Sequence, residues 1–299
     1  MEILRNPNFP FVRTRWIAIS ISLALIVIGL ISLAITGGPR YSIDFTGGSI
    51  LQVQFTQRVP VEDVRAELAK IGRADASIQS YGEANEILVR VPVREGVTGA
   101  DDVKKALSTR WPDMQVRRDD SVGPRIGAEL RRNAGWAIFW SLLGILVYVS
   151  VRFQYRFAVA GVVALLHDVL ITLGLFNLRG GEVSLEVIAA FLTLVGWSIN
   201  DTIVVFDRIR ENLRVPTREK YADVLNKSIN QSLARTIITF STVFITTVIL
   251  YIFGGSVLRD FAFVMTVGGI VGTFSSIWIA TPILVEWEQR WPKKAKARG

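Results

Sequence analysis

Ionisable side chains inside long apolar segments are the feature of this sequence with the clearest chemical meaning. Asp168 follows His167 in the middle of one such segment, and Asp201 lies in the next segment. A charged residue at the centre of a membrane helix costs about 2.5–3.5 kcal/mol on insertion scales. We therefore expect these carboxyl groups to face water, a cation or other polar groups. Each is a candidate carrier of protons across the membrane.

A cation and a row of hydroxyl groups follow Asp201 in the sequence. Arg235 begins the next apolar segment, and three threonines continue it at helical spacing, so that all four side chains share one face. The threonines are Thr239, Thr242 and Thr246. Because successive membrane segments run in opposite directions, Asp201 near the inner end of one can meet Arg235 at the inner start of the other. The sequence therefore predicts an ion pair, which protonation of Asp201 would release.

Other polar residues near these carboxyl groups have a simpler alternative explanation. Around Asp201 lie Ser198, Asn200 and Thr202. Buried polar residues often only hold membrane helices together, each gaining under about 1 kcal/mol. That alternative applies to Asn200 and to the threonines. It also applies to His167 and Asp168, because successive side chains point about 100° apart and are not expected to fill one site.

The last apolar segment carries small residues at every fourth position. Gly268, Gly272, Ser276 and Ala280 form this row. Small side chains let two helix backbones approach closely, so the row predicts a helix-packing surface.

Composition supports a membrane protein without a metal or cofactor. Of the 299 residues, 50% are hydrophobic and only 20% charged, which is too little polar cover for a soluble enzyme. There is no cysteine and a single histidine, which excludes disulfides and thiolate catalysis and makes a transition-metal centre unexpected. We expect a non-enzymatic protein without a cofactor, in which proton movement supplies the energy.

The net charge of +8 resides mostly beside the apolar segments, which indicates contact with membrane lipid and not with nucleic acid.

Six apolar runs are long enough to cross a bilayer. They cover residues 16–36, 134–151, 157–178, 186–206, 236–253 and 261–286. Lysine and arginine are concentrated in alternate short loops, which places both termini in the cytoplasm. The predicted organisation is a cytoplasmic N-terminus (1–15), span one (16–36), an exported domain (37–133), spans two to six (134–286) and a basic cytoplasmic tail (287–299). Residues 207–235 are predicted to be a cytoplasmic loop.

The segment 37–133 is predicted to fold as an α+β domain outside the membrane. A strand over 41–46 is followed by strands and helices in the order βαββαβ, which is typical of the ferredoxin-like, split βαβ pattern. Strands over 76–81 and 87–93 are predicted to form a hairpin, joined by a turn at 82–85. The acidic residues of this segment lie at helix starts and turns, so nothing in it indicates catalysis.

Several motifs resemble the SecF family of protein-export membrane subunits. The longest is GWSINDTIVVFDRIREN at 196–212, and the others are YSIDFTGGS at 41–49, VGPRIG at 122–127, LHDV at 166–169 and LART at 233–236. The resemblance implies a member of the resistance-nodulation-division superfamily in the cytoplasmic membrane. It implies work beside the SecYEG translocon with SecD and YajC, using the proton motive force to promote movement of a preprotein. It further implies Asp201 as the proton carrier and Arg235 as its partner.

Two other classes of function remain alternatives. A proton-coupled exporter of small molecules or lipids would share the superfamily architecture. An intramembrane aspartyl protease would use Asp168 and Asp201 as a pair sharing a proton. The usual protease contexts are YD and GxGD, whereas this sequence has HD and ND.

Overall fold

The computed structural model of the chain describes residues 7–81, 85–93 and 100–291, apart from the side chains of residues 256 and 257. In chain order the elements are α1 (Arg15–Ile35), β1 (Arg40–Tyr41), α2 (Ile43–Thr46), β2 (Gly48–Gln54), α3 (Val61–Lys70), β3 (Ser77–Ser80), β4 (Glu86–Val91), α4 (Asp101–Arg110), β5 (Gln115–Val122), α5 (Pro124–Arg152), α6 (Tyr155–Leu178), β6 (Glu182–Val183), α7 (Leu185–Asn212), α8 (Tyr221–Phe253), α9 (Gly255–Ser275), a π-helical segment (Ser276–Ala280) and α10 (Thr281–Arg290).

Six helical spans in the described part of the chain are long and apolar enough to cross a membrane. They are α1, α5, α6, α7, α8 and the continuous run from Leu258 to Arg290 through α9, the π-helical segment and α10. The prediction of a polytopic helical membrane protein is therefore confirmed. The run from Leu258 and α6 are the most buried of the six, which makes them the centre of the bundle.

Three helices extend beyond the predicted spans. Helix α5 begins at Pro124, ten residues before the predicted start of span two. The predicted loop 207–235 is mostly helical, because α7 continues to Asn212 and α8 already begins at Tyr221. Hydropathy detects only the apolar part of a helix, whereas its backbone hydrogen bonds can continue into water. In α8 the added turns are held by buried apolar side chains, among them Leu225 and Ile229.

The α+β domain contains β2 to β5 with α3 and α4, in the predicted order βαββαβ. Its strands lie in the order β3–β4–β2–β5, and each neighbouring pair is antiparallel. Alternate residues of β2 point into the core, where Leu51 and Val53 contact buried side chains of both helices. This alternation is the pattern from which the strand was predicted.

One ion pair joins the connection that follows α3 to the first turn of α4. The Arg73 side chain, which is 3% exposed, donates from Nε to Asp102 Oδ2 at 2.7 Å. Burial alone would raise the pKa of Asp102, but hydrogen bonds from Arg73 and from the backbone N–H of Val103 outweigh it and lower that pKa.

Two other expectations need correction or lie outside the described residues. The strand predicted over 41–46 is only two residues long, Arg40–Tyr41, and Ile43–Thr46 forms a short helix. The Ser42 hydroxyl accepts a hydrogen bond from the Asp44 N–H and so favours a turn at this point.

Two predicted segments lie partly outside the described part of the chain, namely residues 82–84 of the hairpin turn and residues 292–299 of the tail.

Helices α1 and α6 cross with their backbones in contact. A Cβ atom added to Gly174 would lie 2.6 Å from the Cα atom of Gly29. Only glycine at both positions permits this approach. The crossing fixes the first span against the centre of the bundle.

We expect Gly174→Ala to force α1 and α6 apart and to lower the free energy of unfolding by about 1–3 kcal/mol. The thermal unfolding midpoint of the purified chain in detergent measures this effect. Gly144→Ala in α5 is the matched control, because a Cβ atom there meets nothing within 4 Å. Equal midpoints for the two variants would contradict the interpretation.

Candidate functional site

Asp168 is the centre of a buried polar cluster between three helices. Its side chain on α6 is 1% exposed. Oδ2 accepts hydrogen bonds from Ser198 Oγ of α7 at 2.5 Å and from Ser275 Oγ of α9 at 2.9 Å. Oδ1 lies 2.9 Å from Nδ1 of His167. Both carboxylate oxygens are therefore satisfied by the protein itself.

His167 and Asp168 do share one site, contrary to the expectation from their adjacent positions. The imidazole ring turns back along α6 so that Nδ1 reaches Asp168, and it stacks on Phe274 at 6.3 Å between ring centroids. His167 Nε2 is buried and has no partner among the described residues. Side-chain torsions can thus bring two successive helical residues together even though their Cβ atoms diverge.

Asp201 occupies a different environment on the next helix. It is half-buried, and Oδ1 accepts a hydrogen bond from Thr236 Oγ1 of α8 at 2.9 Å. The other oxygen, Oδ2, is buried without a hydrogen-bond partner in the described part of the chain. A buried acceptor with no donor costs about 1–3 kcal/mol, and more when it is charged. The carboxyl group is therefore poised to take up a proton or a new partner.

The predicted ion pair between Asp201 and Arg235 is not formed. Arg235 is exposed, and it forms no ion pair with any described residue. The next residue, Thr236, is 1% exposed and makes the contact with Asp201 instead. Side chains one position apart on a helix point about 100° apart. With Thr236 facing α7, the Arg235 side chain points in another direction and makes no direct contact with Asp201, although its charge still acts on that carboxyl group.

The predicted row of threonines follows Arg235 along the outer face of α8. Thr239, Thr242 and Thr246 are exposed, and each hydroxyl donates to a carbonyl of its own helix three or four residues earlier. Asn200 is also exposed, on α7. The structure thus brings neither the row nor Asn200 to the two carboxyl groups.

The junction of α9 and the π-helical segment in the last span places two neighbouring serines at the site. Ser275 donates to Asp168, whereas the hydroxyl of Ser276 lies 3.2 Å from Thr202 Oγ1 and beside Asp201. Both serines are fully buried. Pro282 has no N–H for the carbonyl of residue 278, so the regular α-helical pattern is interrupted here.

Sequence reasoning missed Ser275 and Thr236 and treated Ser276 only as a packing residue. A proline inside the last apolar span could have indicated the two serines, and a threonine directly after a cation could have indicated Thr236.

No hydrogen bond joins Asp168 to Asp201 among the described residues, so the shared proton that a protease dyad requires is not seen. The described residues also contain no group of three acidic or histidine side chains that could hold a metal.

Glycines of α9 set how closely this span approaches α7. A Cβ atom on Gly272 would lie 3.0 Å from Ser198 Oγ, and one on Gly268 would lie 2.3 Å from Cδ2 of Leu194. The row of small residues therefore lies against α7, and the approach brings Ser275 within reach of Asp168.

The start of α7 is joined to the α+β domain. Asp44 Oδ2 accepts the backbone N–H of Leu185, the first residue of α7, at 3.1 Å. Strand β1 pairs in parallel with β6, immediately before that helix. Phe45, 2% exposed, packs against Val187 in the same cluster. The helix that carries Asp201 is thus fixed to the domain at its first turn.

A glycine and an ion pair complete this junction. Gly48 has φ of 140°, and a Cβ atom there would lie 2.7 Å from the carbonyl oxygen of Val91, so the strand can start only with glycine. Arg90 Nη1 of β4 contacts Glu182 Oε1 of β6 at 3.0 Å. Burial raises the pKa of Glu182 more than the attraction of Arg90 lowers it. Glu182 therefore takes up a proton at a higher pH than an exposed glutamate does.

Comparison with known proteins gives a consistent result. Residues 102–290 match the family described as "Protein export membrane protein SecD/SecF, C-terminal", and residues 32–58 match "SecD/SecF GG Motif". The protein translocase subunit SecF of Desulfurispirillum indicum is 46% identical over 297 residues, which cover 96% of this chain and 94% of that protein. The SecF of Rhodothermus marinus is 42% identical and covers 97% of this chain and 96% of its own length.

Two solved structures of SecDF resemble this chain. The crystal structure of SecDF from Thermus thermophilus matches with a TM-score of 0.87 and 39% identity, over 95% of this chain and 39% of that chain. SecDF in a form described as super-membrane-facing matches with a TM-score of 0.70, at the same identity and over 96% of this chain. The present chain thus spans about two-fifths of the SecDF chains.

We expect Asp44→Ala to remove the acceptor that holds the Leu185 N–H and to lower the free energy of unfolding by about 1 kcal/mol. Faster hydrogen exchange at the amides of residues 185–187 would locate the loss at the start of α7. Asp44→Asn, which keeps an acceptor oxygen, should exchange at nearly the rate of the unchanged protein. If Asp44→Ala left these amides as protected as Asp44→Asn does, the capping role would be wrong.

Proposed function

The chain belongs to the SecF family of protein translocase subunits, and from this we propose that it works with SecD to couple the proton motive force to preprotein movement. Its role is that of an accessory, non-catalytic subunit of the Sec translocon in the cytoplasmic membrane. The single observation that carries the coupling step is the Asp201 carboxyl group, half-buried with one buried oxygen unpaired.

The two charge states of Asp201 favour different neighbours. When neutral, the carboxyl group needs only weak partners, such as the Thr236 hydroxyl that it has. When ionised, it needs a cation or several donors. A rotation of α8 by one residue position, about 100°, exchanges Thr236 for Arg235 at this place. Protonated Asp201 would thus favour the arrangement in which Thr236 faces it, and ionised Asp201 the arrangement in which Arg235 faces it.

The driving force available for such a change is adequate. One elementary charge crossing about 100 mV gains about 2.3 kcal/mol, which biases a two-state equilibrium roughly fiftyfold. A bias requires a ligand that binds the two states differently. The proton meets this condition because only the ionised carboxylate attracts Arg235.

Helix α7 offers a direct route from Asp201 to the α+β domain. Sixteen residues separate Asp201 from Leu185, a distance of about 24 Å along a straight helix. The Asp44 contact and the β1–β6 pairing join that end to the domain. A shift or tilt of α7 would therefore move the domain, which is the part that would act on the preprotein.

The domain is proposed to lie outside the cytoplasm, with both termini inside. Basic residues of the short loops support this orientation. We assign the domain to the ferredoxin-like class. The βαββαβ order and the strand order β3–β4–β2–β5, all antiparallel, support that assignment.

SecD is the partner proposed for the exposed face of α8. The similar SecDF chains are more than twice as long as the part this chain matches. The face carries Arg235, whose charge lipid alone would not satisfy, beside three threonines whose hydroxyl groups bond their own helix. A second half-transporter packed there would cover it. SecYEG, YajC and the preprotein complete the proposed assembly.

Asp201→Asn should abolish proton-dependent stimulation of preprotein export, because the amide stays neutral and cannot take up or release a proton. Inverted membrane vesicles containing the variant with its partners measure export with and without a proton gradient. Asp207→Asn is the matched control on the same helix, since Asp207 bonds Arg152 at 3.1 Å near the cytoplasmic end. Stimulation of the Asp201→Asn protein to the unchanged level would exclude the carrier role.

Arg235→Ala should lose proton-dependent stimulation as severely as Asp201→Asn, because the ionised carboxylate would have no cation to attract. Thr239→Ala, one turn further along the same exposed face, should have a clearly weaker effect. The same vesicle assay compares them. Equal loss in both variants would indicate that packing of this face, and not the charge, is being measured.

A further inference from the structure

A cavity of about 340 Å³ lies at the end of the bundle opposite the α+β domain. It is formed where α6 and α8 begin and where α7 and α10 end, and its charged lining is Arg156, Arg210, Arg214 and Glu288. Phe157 and Tyr221 contribute to the wall. The cavity is remote from both carboxyl groups of the proton site, and the proposed coupling step does not use it.

The protein neutralises only part of the positive charge in this cavity. Arg156 Nη1 contacts Glu288 Oε2 at 2.6 Å. Arg210 and Arg214, four positions apart, form no ion pair with any described residue. Two guanidinium groups thus line one cavity without an ion pair to any described residue, and its one carboxylate, Glu288, contacts Arg156. Guanidinium groups bind phosphate oxygens in pairs of parallel hydrogen bonds, which makes phosphate a fitting counter-ion.

The helix starts at the cavity add to its positive potential. Helices α6 and α8 begin beside it, at Tyr155 and Tyr221, and neither start receives a side-chain hydrogen bond from its cap residue. The first N–H groups of two helices of 24 and 33 residues therefore point toward this end of the bundle. The positive potential of the helix starts favours binding of an anion, as the two arginines already do.

Aromatic and apolar surfaces beside the cavity identify the anion as part of a lipid. Tyr155 and Trp287 meet edge to face at 5.1 Å between ring centroids, and Trp287 is 5.6 Å from Trp291. Such rings mark the level of lipid headgroups. From Tyr155 an exposed apolar strip continues along α6 into the bilayer. It consists of Val159, Val163, Leu166 and Leu170.

We propose that this cavity binds the phosphate of an anionic phospholipid, with Arg210 and Arg214 as its ligands and one acyl chain along the exposed strip of α6. The headgroup would belong to the leaflet on the side of the chain termini. A bound lipid here would join the ends of four helices, including the two whose relative rotation the coupling step requires. A soluble phosphate could satisfy the arginines but would make no use of the strip.

Binding of phosphatidylglycerol to the purified full chain in detergent tests the proposal, by titration of a fluorescent phosphatidylglycerol and by native mass spectrometry. We expect one lipid per chain that survives delipidation, and an affinity at least fivefold lower in Arg210→Gln/Arg214→Gln. The matched control is Arg218→Gln/Lys220→Gln, which removes the same charge from the connection between α7 and α8 but from side chains that do not line the cavity. It should bind like the unchanged protein.

Three results would overturn the proposal. Equal weakening in both double variants would indicate general attraction of basic residues to anionic lipid. Binding of phosphatidylcholine as tight as that of phosphatidylglycerol would remove the role of the charge. Displacement of the lipid by inorganic phosphate at equal concentration would indicate a site for a soluble anion. If the double variant does not fold, Arg214→Gln alone, at an exposed position, should still lower the affinity measurably.

Discussion

The structure depends on one constraint: a polar group inside the hydrocarbon region must find its partners within the protein. Asp168 meets it fully, with donors from three side chains on three helices. Asp201 meets it only in part, because one of its oxygens is buried and unpaired. The contrast assigns them different roles. Asp168 fixes α6, α7 and α9 together, whereas Asp201 is the carboxyl group whose environment is incomplete and therefore able to change.

The fixed cluster also determines where movement can occur. Helix α9 is held to α7 by the glycines at 268 and 272 and to α6 by Ser275. Helix α8 makes one hydrogen bond to Asp201 among the described residues, from the Thr236 hydroxyl, and its outer face is exposed. The link between α8 and Asp201 is thus a single neutral hydrogen bond, whereas the Asp168 cluster joins three helices.

Much of this could be predicted from the sequence, and the failures have a common cause. Apolar length gave the six spans, and alternation gave the strands of the domain. The carboxyl groups were evident because ionisable residues are rare in lipid-exposed helices. The partner of Asp201 could not be predicted, because the rotation of α8 determines whether Arg235 or Thr236 faces it. Hydropathy does not determine that rotation. The Asp44 contact with Leu185 joins residues 141 positions apart, and no local pattern indicates such a pair.

The same constraint argues that the isolated chain is incomplete. Arg235 is exposed at a level where Asp201 is half-buried, and the threonines that follow it satisfy their hydroxyl groups only within their own helix. A guanidinium group so placed is stable if it reaches water, extends to a headgroup or meets another protein. A protein partner on this face would also hold α8 in a defined rotation along its length, and defined rotations are what distinguish the two proposed states. The proposed switch would therefore use a second membrane subunit directly, as well as for covering the surface.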